Sequence, residues 1–203
     1  MDQPTPGEQS ENVINVEMIE SQIRECFGRV VYSHKTHEKC ADLLLLRHNR
    51  IKLAQILLSA ITTGSLIVTL LGQSKISTAI AAVASAGLLA LNSYTKDYDL
   101  GQMSQKHKDT ASSLWNIRES YLSLLTDLKS NVIKFSDAAS KRDAMQQALL
   151  AIYEAAPRTI PKAYIKAQQA LKIKEDLTFS DEEIDKFLPA SVKKDTKTTA
   201  HKE

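Results

Sequence analysis

His34, His37 and Cys40 follow one another at steps of three along a stretch with helical periodicity. On a helix the two imidazoles lie on one side, and the thiol and Glu38 stand close by, the residue types that hold zinc. A zinc site needs a fourth well-placed ligand, and the sequence offers neither that nor a second cluster. The three are therefore expected to be semi-polar residues at a helix–helix seam, with no metal. A pH-sensing histidine pair is the other chemistry these residue types allow. There is no glycine-rich phosphate loop, nucleophile elbow or CxxC pair, and the carboxylates scatter as solvated helix faces. No catalysis and no cofactor are expected.

A more specific polar signal lies in two uncharged stretches, one between Lys52 and Lys75 and one between Lys75 and Lys96. At about 100° per residue, Gln55, Ser59, Thr62 and Thr69 fall within an arc of about 80°. Thr78, Ser85 and Asn92 share a face of the second stretch. A surface in contact with lipid has no use for these groups. They suit the lining of a water-filled path through an assembly. They equally suit helix packing, because hydroxyls bond backbone carbonyls in membranes and small residues let helices approach. Ala60-x3-Gly64, Ser77-x3-Ala81-x3-Ser85 and Ala82-x3-Ala86-x3-Ala90 fit the packing role.

The elements that carry these residues follow from length. A bilayer crossing takes about 20 mostly apolar residues at ~1.5 Å each. Both stretches suffice, at about 53–71 and 76–94, with Gly72-Gln73-Ser74-Lys75 as a short turn. This predicts a transmembrane helical hairpin. The competing reading, the core of a soluble bundle, predicts a charged face on each helix, and neither stretch has one. Arg47, Arg50 and Lys52 precede the first span and Lys96 follows the second, as anchors at the membrane interface. The turn holds only Lys75, so both termini are expected in the cytoplasm, with the protein multi-pass in its membrane.

The remainder is polar. Charged residues make up 25% of the chain and the net charge is +2, too mild to argue for nucleic acid. Before the hairpin, Val16, Ile19, Ile23, Cys26, Val30, Ser33 or His34, His37, Cys40, Ala41 and Leu44 form a seam with steps of three and four. After it, Met103, His107, Thr110 or Ala111, Leu114, Ile117, Tyr121, Leu125, Leu128, Val132 and Phe135 form another. The hairpin sets these two helices side by side and antiparallel, the second running unbroken from about Ser93 to Phe135. Further helices are expected at about 137–156 and 161–177, and a short one capped by Ser180-Asp181-Glu182-Glu183. Cys26 and Cys40 lie ~21 Å apart along one helix, so they cannot pair with each other. The fold class is thus all-α. Residues 1–12 read as a flexible tail without the features of a signal peptide, 13–135 as the two-span domain, 136–189 as a C-terminal helical extension, and 190–203 as a disordered lysine-rich tail.

A basic, histidine-bearing approach (HKTHEKCADLLLLRHNR), a tight apolar hairpin containing LSAITTG, and a long helix after it (QKHKDTASSLWNIRESYLSLLTDL) resemble the SLATT family, two-transmembrane effectors associated with SMODS and SLOG domains. The resemblance covers roughly residues 20–150. It implies bacterial anti-phage defence, with an oligomeric membrane effector that permeabilises the inner membrane and kills or arrests the infected cell. It further implies a separate sensor: a cyclic-oligonucleotide synthase, a SLOG protein or a reverse transcriptase. The expected partners are then the bilayer, further copies of the chain and that sensor, without direct nucleic-acid binding. The rival expectation is a membrane-anchored helical scaffold that recruits a protein partner and forms no pore.

Overall fold

A computed structural model of the protein describes residues 6–72 and 75–193. Among these residues it is all-helical: α1 (Pro6–Gly72), α2 (Lys75–Asp97), α3 (Leu100–Lys129), α4 (Phe135–Ala155), α5 (Pro161–Lys172) and α6 (Asp181–Phe187), then a short 3-10 turn (Ala190–Val192).

α1 has 67 residues and is therefore ~100 Å long. One helix carries both the first seam and the first apolar span. It starts at Pro6, ahead of the expected Val16. The first five residues of the expected tail lie outside the described residues, and its remainder continues α1. Gln73 and Ser74 of the expected turn, and residues 194–203 of the C-terminal tail, also lie outside them.

α3 turns back along α1. His107 meets His37, Ser104 donates to the Ala41 carbonyl at 2.8 Å, and Gly101 lies against His48. A methyl group at Gly101 would stand 3.1 Å from the His48 ring, so the bare backbone permits this close crossing. The core joins Ile19, Ile23 and Val30 of α1 to Leu114, Ile117, Tyr121, Leu124 and Leu128 of α3, with Ala138 of α4. α4 then runs parallel to α1: Arg142 donates to Gln22 at 2.7 Å and Tyr153 to Ser33 at 2.9 Å, and just beyond α4 the Ile160 amide meets Cys40 at 3.4 Å. α5 presents Ala163, Ala167 and Ala170, all buried, and alanine brings its backbone close to α1. After α5 the chain takes a left-handed turn at Glu175 (φ 52°), and Asp176 reaches Lys35 at 3.1 Å. α6 carries the expected capping box between Ser180 and Glu183.

The long helix expected over 93–135 is broken twice. The first break is at Tyr98–Asp99, where the Asp99 carboxylate accepts the Gln102 amide at 2.8 Å and starts α3 afresh. The second is at Ser130–Lys134, with Asn131 in the left-handed region (φ 54°). The seam consequently ends at Leu128. Val132 is exposed, and Ser104 takes the buried place expected for Met103.

Candidate functional site: the membrane hairpin and its histidine-pinned base

Both apolar helices are long and apolar enough to cross a membrane. In α1 none of the most apolar window is buried within the protein. Leu53, Ile56, Leu57, Ile61, Leu66, Ile67, Val68, Leu70 and Leu71 are all exposed, Leu71 by 85%. An apolar surface so extensive is not a soluble core, and lipid is the medium that suits it. The soluble-bundle reading fails on this point.

The hairpin closes on a face of small residues. Ser77, Ala81 and Ala84 of α2 are buried against α1, and Leu58 packs 3.6 Å from the position a side chain at Gly87 would take. Polar side chains bridge the helices at each end. At the end away from the turn Gln55 donates to Asn92 at 2.9 Å and to Thr95 at 3.4 Å. Near the turn the Thr69 hydroxyl meets Ser77 at 2.9 Å and Thr78 at 3.3 Å. Between them Thr62 donates to the carbonyl of Leu58 in its own helix, at 2.8 Å.

The seven polar residues singled out in the sequence therefore divide. Gln55, Thr69, Thr78 and Asn92 bond between the two helices, Thr62 bonds its own backbone, and Ser59 and Ser85 face outward. The same outward strip of α1 includes Thr63, which donates to the Ser59 carbonyl at 3.0 Å, along with Ala60 and Gly64. On α2, Ala82, Ala86 and Ala90 are likewise exposed. Sequence periodicity missed Thr63 and Thr95, whereas Ser77 and Ala81 were marked by their small-residue spacing. Which of two neighbouring hydroxyls faces the partner helix depends on the rotation of the hairpin, not on helical pitch alone.

At the base of the hairpin, Arg47, Arg50, Lys52 and Lys96 are all exposed. The Arg47 guanidinium lies 5.6 Å from the centre of the Tyr94 ring, and Tyr94 stacks on Tyr98 at 5.2 Å. Tyrosines among basic residues are the chemistry of a membrane–water interface.

Below this belt the expected histidine seam is present, with a different partnership. His37 pairs with His107 of α3, Nδ1 to Nδ1 at 3.0 Å, both rings buried. One ring must donate and the other accept, so the contact requires at least one neutral imidazole. Burial, and secondarily the neighbouring ring, pulls His37 down to about 4. Burial lowers His107 as well. His34 does not join them. Its Nε2 lies 3.6 Å from Glu38, and burial outweighs that carboxylate and lowers its pKa. Cys40 accepts the Ile160 amide, and burial pushes its thiol up. Both cysteines are free, and the described residues contain no cluster suited to a metal. Lys35, almost buried, pairs with Glu38 at 3.0 Å and Asp176 at 3.1 Å. Burial works against its ammonium, yet the two hydrogen-bonded carboxylates outweigh it and hold the pKa above the ordinary lysine value.

Over residues 19–183 the sequence matches the SMODS and SLOG-associating 2TM effector domain family 4. The match covers most of the chain, which therefore belongs to this family and is a membrane-associated helical effector of defence systems. It extends through α5 into α6, so the C-terminal helices, expected as an extension, lie within the family domain. No curated protein and no solved structure matches the chain.

Proposed function

We propose that the protein is a pore-forming effector without enzymatic activity. Hairpins from several copies associate in the bacterial inner membrane and dissipate its gradient, arresting or killing the infected cell. A separate sensor, whether a cyclic-oligonucleotide synthase, a SLOG protein or a reverse transcriptase, releases this activity through the cytoplasmic helices. Both termini lie in the cytoplasm, and Arg47, Arg50, Lys52 and Lys96 hold the hairpin at the inner headgroups.

The observation that carries this reading is the outward strip Ser59, Ala60, Thr63 and Gly64. Gln55, Thr69, Thr78 and Asn92 bond between the two helices, while Ser59, Thr63 and Ser85 stay exposed at membrane depth, Thr63 bonded to the Ser59 carbonyl of its own helix. Small and hydroxyl-bearing residues together favour close helix approach, and lipid offers the hydroxyls no partners. Ser85 and the Ala82, Ala86, Ala90 row supply a matching surface on α2. In an assembly these residues line or flank the lumen. Gln55, Thr69, Thr78 and Asn92 keep each hairpin closed, and with Thr62 they form the packing shell behind it.

Proteoliposomes loaded with a self-quenched dye test this. The unaltered chain is expected to release dye once triggered or at high protein density. Ser59→Leu combined with Thr63→Leu is expected to insert equally well and release little. Release at the unaltered rate would remove the strip from the lumen. The scaffold alternative predicts no release from either protein.

A further inference from the structure

Beyond the membrane, the structure holds a cavity of about 520 Å³ where the α4–α5 loop crosses α1. Tyr32, Ser33, Thr36 and His37 form its floor, and Tyr153, Arg158, Thr159 and Tyr164 stand around it. The size falls within the ~300–1,000 Å³ range of small-molecule sites. Two prolines, Pro157 and Pro161, stiffen the loop that carries Arg158 and Thr159.

The lining specifies the occupant. Arg158 is the one cation in the wall and no carboxylate lines it. The Arg158 guanidinium makes no ion pair among the described residues, whereas the nearby Lys35 is held by two carboxylates. An unpaired guanidinium above an acid-free wall recognises a phosphate or carboxylate. In the same lining, the rings of Tyr32 and Tyr164 lie 6.3 Å apart, inclined by 32°, and the hydroxyl of Tyr153 is bonded to Ser33. Such rings offer faces to a flat ligand ring. Polar atoms remain to read the ring's edges: the hydroxyl of Thr159 and the Nε2 of His37, whose Nδ1 is taken by His107.

We propose that this cavity binds a small aromatic anion, a flat ring bearing a phosphate or carboxylate, with Arg158 holding the anion and Tyr164 the ring. The occupant touches α1, the end of α4 and the start of α5 together, and lies against His37, which is bonded to α3. Binding therefore tightens the cytoplasmic bundle around His37. The site stands on the cavity alone and is independent of whether the hairpin forms a pore.

Isothermal titration of the full chain in detergent tests it, with adenosine monophosphate, benzoate, adenosine and inorganic phosphate as probes. Adenosine monophosphate is expected to bind saturably in the ~0.01–1 mM range and benzoate more weakly. Arg158→Gln is expected to weaken adenosine monophosphate about tenfold or more while leaving adenosine unchanged. Tyr164→Ala is expected to weaken both about fivefold or more. Arg158 and Tyr164 are exposed, so both variants should keep the parental circular dichroism spectrum. Absence of saturable binding by both aromatic anions would overturn the proposal. Equal affinity for inorganic phosphate and adenosine monophosphate would do so too, as would an Arg158→Gln chain that binds adenosine monophosphate undiminished.

Discussion

The two halves of α1 share one helix and obey opposite rules. From Ile19 to Cys40 the apolar residues turn inward, and Ile23, Val30 and Cys40 are buried beneath α3, α4 and α5. From Leu53 to Leu71 the apolar residues turn outward, and Gln55 and Thr69 turn in toward α2. The inversion shows where the solvent changes. In water, burial of apolar surface holds helices together. In lipid that force vanishes, so small residues and a few hydrogen bonds must do so. The belt of Arg47, Tyr94 and Tyr98 marks the change.

The largest effect expected from this contrast is in the core. Leu114→Ala should destabilise the bundle of α1, α3 and α4 by about 2–5 kcal/mol. Leu70→Ala, on an outward leucine of the hairpin, should change stability by about 0.5 kcal/mol or less. Thermal melts of both variants in detergent, followed by circular dichroism, make the comparison. Equal losses would erase the distinction between the two halves.

Acid comes next. The folded chain holds His37 at about 4, well below its ordinary value. Above pH ~6.5 the ring is neutral whether folded or unfolded, and its contribution is complete. As pH falls from ~6.5 toward 4 the unfolded chain takes a proton that the folded chain refuses, so stability declines. The loss over that window is on the order of 2–3 kcal/mol. Melts at pH 7.5 and pH 5 should therefore differ for the unaltered chain, and the difference should shrink in His37→Asn. An unchanged difference would mean that other groups carry the pH response.

The smallest effect belongs to the hairpin. Gln55→Leu removes the bridge to Asn92 and Thr95 and should weaken the contact between α1 and α2 by about 0.6 kcal/mol. Titration of the chain with a denaturing detergent, read by helicity, would register it. A loss of several kcal/mol would show that hydrogen bonds, more than small-residue packing, hold the hairpin.

Much of this arrangement was legible in residue order. Uncharged length announced the spans, the three–four periodicity located Ile19, Ile23, Leu114, Ile117 and Tyr121, and Ser180 with Glu183 announced a cap. The break at Tyr98–Asp99 was hidden because no proline marks it; the stop is made by one carboxylate capping α3. The His37–His107 pair was hidden because periodicity assigns each residue a face but not a partner seventy positions away. The cavity around Arg158 was hidden for a related reason. It exists only once α4 runs parallel to α1 and the loop after α4 is laid across Tyr32 and His37.

The central claim is that the half of α1 beyond the tyrosine belt crosses the bilayer with α2, leaving the histidine-pinned bundle in the cytoplasm. Single-cysteine labelling tests it, in a chain with Cys26→Ser and Cys40→Ser that carries either Lys75→Cys at the start of α2 or Lys129→Cys at the end of α3. A membrane-impermeant maleimide is applied to spheroplasts. The account predicts labelling of Lys75→Cys in intact spheroplasts and of Lys129→Cys only after lysis. Protection of Lys75→Cys until lysis would contradict the crossing, and labelling of Lys129→Cys in intact spheroplasts would contradict the orientation.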